Sequence, residues 1–376
     1  MSERVPLADP RLGDGELAEV AQVLQSGQLT LGATLQRFET AIAEICDTRH
    51  AVGCANGTAA LHLALLALDI GPGDEVIVPA YTFPATSNAV ILCGATPVFC
   101  DVASGIDVAT ADEIAKVVTA RTKAIMVVHL FGYPVEMQPV LDLAKQHSLS
   151  IIEDAAGALG TLVQGRLAGS WGDVGCFSFH PRKIITTGEG GAVVMNDDGL
   201  AERVRRLRHH GIGPDGFSEV GLNYRLSDIL AAVALPQLAQ LESIVARRNE
   251  LALTYDAALR AMPGISPAPA CGPRGNRHVY QAYVARLDDA STRASWITML
   301  SEAGIESQVG TYCVPGLKPY RQLGFDTEGV PNAVDAAEVG LAIPLYPTLT
   351  DKSQAAVVAA LGQCAHRLST VSSTTQ

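Results

Sequence analysis

The chain contains neither a Cys-x-x-Cys pair nor a Cys/His cluster with the spacing of metal ligands, although it carries eight cysteines. Thiols scattered in this way suit burial in a reducing compartment rather than a disulfide framework or a zinc site, so no metal is expected. Basic residues are few: 27 Lys and Arg against 39 Asp and Glu give a formal net charge of −12. A nucleic-acid binder needs a basic face to displace counterions from phosphates, so that class is disfavoured. A phosphorylated small substrate stays open, because its site needs only a few local cations. Long apolar runs are missing as well. The stretches Ala59 to Leu68 and Ala89 to Cys100 fall short of the roughly 18 residues of a membrane span, and His62, Gly94 and Pro97 interrupt them. Met1-Ser2-Glu3-Arg4-Val5 shows no basic region followed by an apolar core, so no secretory signal is expected. Together these absences predict a cytoplasmic enzyme with no membrane segment.

The chain is rich in core-forming residues, 48% hydrophobic over 376 positions. That length exceeds a single-core domain and predicts a large domain with a smaller one behind it. Between about residues 50 and 195, apolar strand-like runs alternate with helical ones. Glu75 to Val78, Thr96 to Phe99, Ala124 to Val128, Leu149 to Ile152 and Gly191 to Met195 read as strands. Ala59 to Leu68, Asp112 to Val118 and Met137 to His147 read as helices. The alternation predicts an α/β fold with a largely parallel sheet covered by helices on both faces, its functional loops at the carboxyl ends of the strands. A long helix is expected from Ser227 to Leu259. A Pro/Gly-rich segment from Pro263 to Pro273, a strand from Val279 to Leu287 and helices near Ser291 to Ala303 and after Thr350 would follow it. The domain boundary is placed near residue 245, giving a large domain 1–245 and a small C-terminal domain 246–376. The polar tail Ser369 to Gln376 is expected to be disordered.

Five polar segments carry candidate chemistry. Ser178-Phe179-His180-Pro181-Arg182-Lys183, followed by Thr187-Gly188-Glu189-Gly190-Gly191, sets a lysine in a Ser-bearing turn hemmed in by glycines. Lysine is one of the few side chains that form a Schiff base with an aldehyde cofactor such as pyridoxal phosphate. Taken alone, the segment also fits a solvated turn. Asn56-Gly57-Thr58 opens a strong helix, either as an ordinary cap or with free N–H groups for a phosphate. Ile151-Ile152-Glu153-Asp154 ends an apolar strand in two carboxylates. An acid there either caps the next helix or keeps a pyridine nitrogen protonated, and strand alternation makes Asp154 the sharper choice by turning Glu153 away. Tyr81-Thr82-Phe83 offers two aromatic rings, for the core or for stacking on a planar group. Gly221 to Asp228, with Asn223 and Arg225, is a polar loop opening a helix, an ordinary cap or an anion contact.

In this order the five segments resemble the DegT/DnrJ/EryC1/StrS family of pyridoxal-phosphate sugar aminotransferases, within the fold-type I superfamily. The resemblance runs from Gly13 and Ser26-Gly27 to Leu345-Tyr346-Pro347-Thr348-Leu349-Thr350. It implies a mostly parallel seven-stranded sheet between helices in the large domain and a smaller C-terminal α+β domain. It makes Lys183 the Schiff-base lysine and Asp154 the partner of the pyridine nitrogen. Gly57, Thr58 and Ser178 become phosphate ligands and Phe83 the stacking ring. Asn223 would reach the cofactor phosphate from the neighbouring subunit of a homodimer with shared active sites. The implied reaction moves an amino group from glutamate or glutamine to a keto sugar, a nucleotide-linked 4-keto-6-deoxy sugar being the commonest case. A 3-keto sugar or a keto-cyclitol of the scyllo-inosose type is the alternative. The family's dehydratases replace the lysine by histidine, so Lys183 argues against dehydration, and the intact motifs argue against a non-catalytic binding protein. Arg225 and the arginines from Arg203 to Arg208 are available for a pyrophosphate, unless they form a solvated helix face.

Two positions depart from the family pattern. Gly157 stands where the family commonly has Gln or His contacting the cofactor's phenolic oxygen, so that contact must come from another group or from water, or be absent. Leu317, in Pro315-Gly316-Leu317-Lys318-Pro319, stands where a histidine is frequent, which leaves substrate recognition by that loop in doubt.

Overall fold

The computed structural model describes residues 4–272 and 275–374. Met1 to Glu3, Pro273 of the Pro/Gly-rich segment, and Thr375 and Gln376 of the tail lie outside the described residues.

Seven strands form the main sheet: β1 (His50–Cys54), β2 (Glu75–Pro79), β3 (Thr96–Cys100), β4 (Thr122–Val128), β5 (Ser150–Asp154), β6 (Val174–Ser178) and β7 (Gly191–Met195). Their spatial order is β1-β7-β6-β5-β4-β2-β3. The four pairings from β6 to β3 are parallel, and β7 lies antiparallel to both of its neighbours. Because β7 inverts twice, β1 again runs with the majority. Six of the seven carboxyl ends therefore share one edge of the sheet.

The strands read as unbroken apolar runs because both faces are covered. On one face Ile77, Ile125, Val127, Ile151, Phe177 and Val194 pack together with helix α2 (Ala33–Cys46), which follows α1 (Asp14–Ser26) in the chain. On the other, Val76, Val78, Met126, Ile152, Cys176 and Val193 pack against α3 (Gly57–Ala67) and α4 (Ala85–Leu92). Alternation along each strand is what divides these residues between the two cores.

A second antiparallel sheet uses β8 (Ile265–Ser266), β9 (Tyr283–Leu287), β10 (Gln308–Val309) and β11 (Gly340–Ile343), in the order β8-β9-β11-β10. Its core joins Tyr283, Ala285, Leu341, Trp296, Leu300, Val357 and Leu361 to Val5 from the start of the chain.

The single long helix expected from Ser227 to Leu259 is two helices, Asp228–Ala239 and Leu241–Leu259, meeting at 64°. Pro236 lies in the last turn of the first, where its ring removes one backbone donor, and Gln240 leaves helical geometry at φ −103° and ψ 6°. Leu241 and Val245 of the second helix belong to the large core, whereas Leu251, Tyr255 and Leu259 belong to the C-terminal one. The strand expected from Val279 starts only at Tyr283, because Tyr280 is left-handed, at φ 47°. The tail expected to be disordered from Ser369 continues as helix to Thr374, extending the element Asp351–Thr374. Val357, Leu361 and Cys364 anchor that helix upstream, and each added residue then costs little to propagate. Among the described residues no single helix is long and apolar enough to cross a membrane.

Candidate active site

The carboxyl-end edge of the sheet opens onto a cavity of about 1130 Å³. Gly57, Thr58, Phe83, Asp154, Ser178 and Lys183 all line it, delivered by the ends of β1, β2, β5 and β6. Asn223 does not. It is exposed on a separate segment, bridged to His209 through the backbone.

Asn56 is a helix cap, and the cap leaves an anion site behind it. Its Oδ1 accepts from Ala59 N at 2.8 Å, and its carbonyl accepts from Ala60 N at 3.0 Å. The N–H groups of Gly57 and Thr58 are left without a partner among the described residues, at the positive end of α3. A Cβ on Gly57 would stand 2.7 Å from Ser178 Cβ and 3.1 Å from its Oγ. Only glycine lets the helix start approach Ser178 so closely, and the approach sets the hydroxyl beside the two N–H groups. The cradle fits a phosphate.

Glu153 and Asp154 are adjacent in sequence and opposite in role. Glu153 is fully buried and accepts from His129 Nε2 at 2.9 Å and from the backbone N–H groups of Gly169, Trp171 and Gly172 at 2.7, 2.6 and 2.7 Å. Val135 N–H donates to His129 Nδ1 at 3.2 Å, so the ring proton that serves Glu153 sits on Nε2. Asp154 faces the cavity. Its Oδ2 accepts from Thr86 Oγ1 at 2.8 Å and its Oδ1 from Ala156 N at 3.2 Å. Burial pushes the Asp154 carboxyl above its ordinary value, opposed by the Thr86 and Ala156 hydrogen bonds and by the charge of Lys183.

Lys183 follows β6 in a turn closed by its own N–H on the His180 carbonyl, at 2.8 Å. Among the described residues no hydrogen bond or salt bridge holds its Nζ. Burial pulls its amine below the ordinary lysine value, partly countered by Asp154. The two aromatics of the 81–83 segment separate cleanly. Tyr81 is 1% exposed and packs edge-on against Phe131, while Phe83 is 62% exposed at the cavity. This arrangement suits a flat, phosphorylated ring with a basic nitrogen, held by Asp154 at one end and reached by a buried amine at the other.

Two points that the sequence leaves open can be read from the fold. The arginines considered for a pyrophosphate serve the fold instead: Arg203 pairs with Asp69, Arg206 with Glu219, and buried Arg208 with Glu39 and the Gly53 carbonyl. Arg225 bonds His209 Nδ1 at 2.8 Å. None of these lines the cavity, whereas Arg11, Arg182 and Arg248 do. The Leu317 loop also stays outside, and Thr311 and Tyr312 stand at the cavity in its place. The sequence reading passed over Thr86, His129 and Gln281. His129 directly follows β4, so the rule that functional loops sit at carboxyl strand ends was signal enough to find it. Nothing local marks Gln281.

Against known proteins, residues 10–362 match the DegT/DnrJ/EryC1/StrS aminotransferase family. GDP-perosamine synthase of Caulobacter vibrioides is 40% identical over 366 residues, 96% of this chain and 98% of that protein. Among solved structures, S. venezuelae DesV in complex with a ketimine intermediate superposes with a TM-score of 0.89 at 36% identity, covering 95% of this chain and 99% of that one. The PLP form of the putative sugar aminotransferase Spr1654 from Streptococcus pneumoniae superposes with a TM-score of 0.91 at 28% identity, covering 97% and 99%.

Proposed function

The chain belongs to the DegT/DnrJ/EryC1/StrS aminotransferase family, and from that premise we propose that it moves an amino group from glutamate or glutamine onto a nucleotide-linked 4-keto-6-deoxy sugar. It is a pyridoxal-phosphate-dependent sugar aminotransferase. The observation that carries the reading is that Lys183, Asp154 and the Gly57–Thr58–Ser178 cradle face one cavity. A relative named for a GDP-linked sugar, matched over nearly the whole of both chains, supports the nucleotide-linked acceptor.

Pyridoxal phosphate supplies an aldehyde carbon for amine exchange and a ring that withdraws electrons from the carbon losing its proton. The protein supplies the rest. The Gly57 and Thr58 N–H groups and the Ser178 hydroxyl would hold the phosphate, and Phe83 would offer its ring to the cofactor's. Asp154 would keep a proton on the ring nitrogen, where its negative charge would be offset by the cation it creates. Lys183 would hold the cofactor through its amine, and when free its Nζ would move the proton between the donor carbon and the cofactor side, a role open only to the neutral form that burial favours. The same steps reversed place the amine on the sugar.

The family resemblance brings Asn223 to the phosphate from a neighbouring subunit, and its exposed place outside its own chain's cavity supports a homodimer with shared sites as the working unit. The helix Leu241–Leu259 carries the chain from one core to the other, which supports a domain boundary near residue 245.

The test is the visible absorption of the purified, cofactor-loaded protein before and after glutamate or glutamine is added separately. A shift with one of them establishes transamination and names the donor. A spectrum that no amino donor shifts overturns the reading. Product NMR on a panel of nucleotide-linked keto sugars and keto-cyclitols then names the acceptor, and turnover of a cyclitol alone would overturn the sugar assignment.

A further inference from the structure

Gly157 is buried in the cavity wall three residues beyond Asp154. Its φ lies outside the left-handed range, so its backbone does not require glycine. The first atom a Cβ there would meet is Gln281 Oε1, at 3.0 Å, with Gln281 Cγ and Cδ at 3.5 and 3.6 Å. Gln281 enters the same cavity from the segment leading into β9 and fills the space that a side chain at residue 157 would claim.

Its placement is over-determined. Gln281 N–H donates to the Phe131 carbonyl at 2.8 Å, and its own carbonyl accepts from Arg248 at 3.4 Å. Gln281 Nε2 donates to the carbonyl of Arg182, the residue before Lys183, at 2.7 Å. A carbonyl only accepts, so that bond fixes which end of the amide is which and leaves Oε1 on the Gly157 side. Tyr280, just before it, is held at φ 47°, a conformation that costs a non-glycine residue about 1–2 kcal/mol. Its N–H is tied to His278 Nδ1 at 2.9 Å and its carbonyl to Arg248 at 3.0 Å. Strain maintained by so many bonds marks a side chain aimed for use.

We propose that Gln281 is a cofactor-contacting residue. From the C-terminal part of the chain it delivers to pyridoxal phosphate the side-chain amide that Gly157 lacks, so residues 157 and 281 act as one unit. Its bond to the Arg182 carbonyl ties the same contact to the Lys183 turn. The inference rests on the cofactor reading above.

Equilibrium dialysis of pyridoxal phosphate against the wild type, Gln281→Leu, Gly157→Gln and Gly157→Gln/Gln281→Gly tests it, with apo-protein melting scans alongside. Gln281→Leu keeps the volume and loses the amide, and is expected to weaken binding about tenfold, with apo melting lowered only by the lost bond to the Arg182 carbonyl. Gly157→Gln puts two side chains into one space and is expected to weaken binding by a similar factor. The double variant returns one amide from the other side and is expected within about threefold of wild type, a non-additive result. Losses that simply multiply in the double variant, or a Gln281→Leu affinity within about twofold of wild type, overturn the inference while leaving the function intact. Should Gly157→Gln not fold, the Gln281→Leu affinity decides alone. A wild type that binds no pyridoxal phosphate sinks the cofactor reading itself.

Discussion

Thr86 Oγ1 donates to Asp154 Oδ2 at 2.8 Å, and this bond fixes the direction of a short chain of hydroxyls. Thr86 has one hydroxyl proton and gives it to the carboxylate, so at the 3.0 Å contact between the two threonines Thr82 must be the donor. The chain runs Thr82 to Thr86 to Asp154 and ends on a buried carboxylate that also accepts from Ala156. One lobe of Asp154 is thereby anchored to α4, a rigid element, and the acid is oriented before any ligand arrives.

That orientation comes at the expense of the empty protein, and substitution exposes it. Burial raises the Asp154 carboxyl in the fold, so between the unfolded and folded values the native state binds more protons than the unfolded one. Stability from this group is therefore greatest at low pH and falls as pH rises through the folded value. Asp154→Asn removes the titration. The apo variant is expected to melt above wild type at about pH 8 and to lose that advantage toward about pH 4, while amino transfer falls about 10²-fold or more. Melting scans across pH read the first effect. An asparagine variant that melts below wild type at the higher pH would show that the two hydrogen bonds outweigh desolvation.

Gly57 and Ser178 make a second separable pair. Gly57→Ala forces a Cβ to within 2.7 Å of Ser178 Cβ, an overpacking expected to cost about 1–3 kcal/mol and to weaken pyridoxal phosphate binding. Adding Ser178→Gly removes the clash and the proposed phosphate ligand together. The double variant is expected to recover melting temperature without recovering affinity. Recovery of both would mean that Ser178 does not hold the phosphate.

The proposed shared-site dimer predicts complementation. Asn223→Ala and Lys183→Ala each remove one component, and if the components come from different chains, a mixed dimer keeps one intact site. Equal mixing after reversible dissociation is expected to restore about a quarter of wild-type activity from two nearly inactive parents. No restoration in verified mixed dimers would place Asn223 outside the partner's site.

Much of this architecture was legible because both faces of the sheet are covered, so β2, β4 and β7 announce themselves as apolar runs. Strands β1 and β6 did not, and glycine is the reason. A Cβ on Gly53 would meet Leu35 at 2.9 Å, and one on Gly175 would overlap the Gly169 carbonyl oxygen. Close neighbours demand glycine there, and glycine lowers every strand signal. At the site, Lys183 and Asp154 were legible because each sits in a distinctive local pattern, and Glu153 was turned away from Asp154 by alternation alone. Gln281 was not, since its meaning lies in its distance from Gly157, a contact between segments far apart in sequence. The arginines of 203–208 stayed ambiguous for the converse reason. Their spacing shows a charged helix face, and only the fold shows Asp69, Glu219 and Glu39 already paired with them.

Lys183 ties pH to cofactor capture. Burial lowers its amine, so the unfolded state binds the proton more readily, and stability from this group rises as pH climbs through the folded value. Lys183→Met, of similar length and without charge, is expected to stabilise the apo-protein at about pH 7, with the gain fading toward the unfolded value of about 10.4. It is also expected to give no turnover, a loss of about 10⁴-fold or more. In the wild type, the rate at which pyridoxal phosphate becomes attached depends on the neutral amine. Stopped-flow absorption is therefore expected to show that rate rising with pH to a plateau, with a midpoint below the ordinary lysine value of 10.5. The negative charge of Asp154 is the main force holding the midpoint up, so Asp154→Asn should move it lower still. A midpoint at the ordinary value, unmoved by Asp154→Asn, would mean that the Lys183 amine is as well solvated as any surface lysine. The proton transfer assigned to it would then need another base.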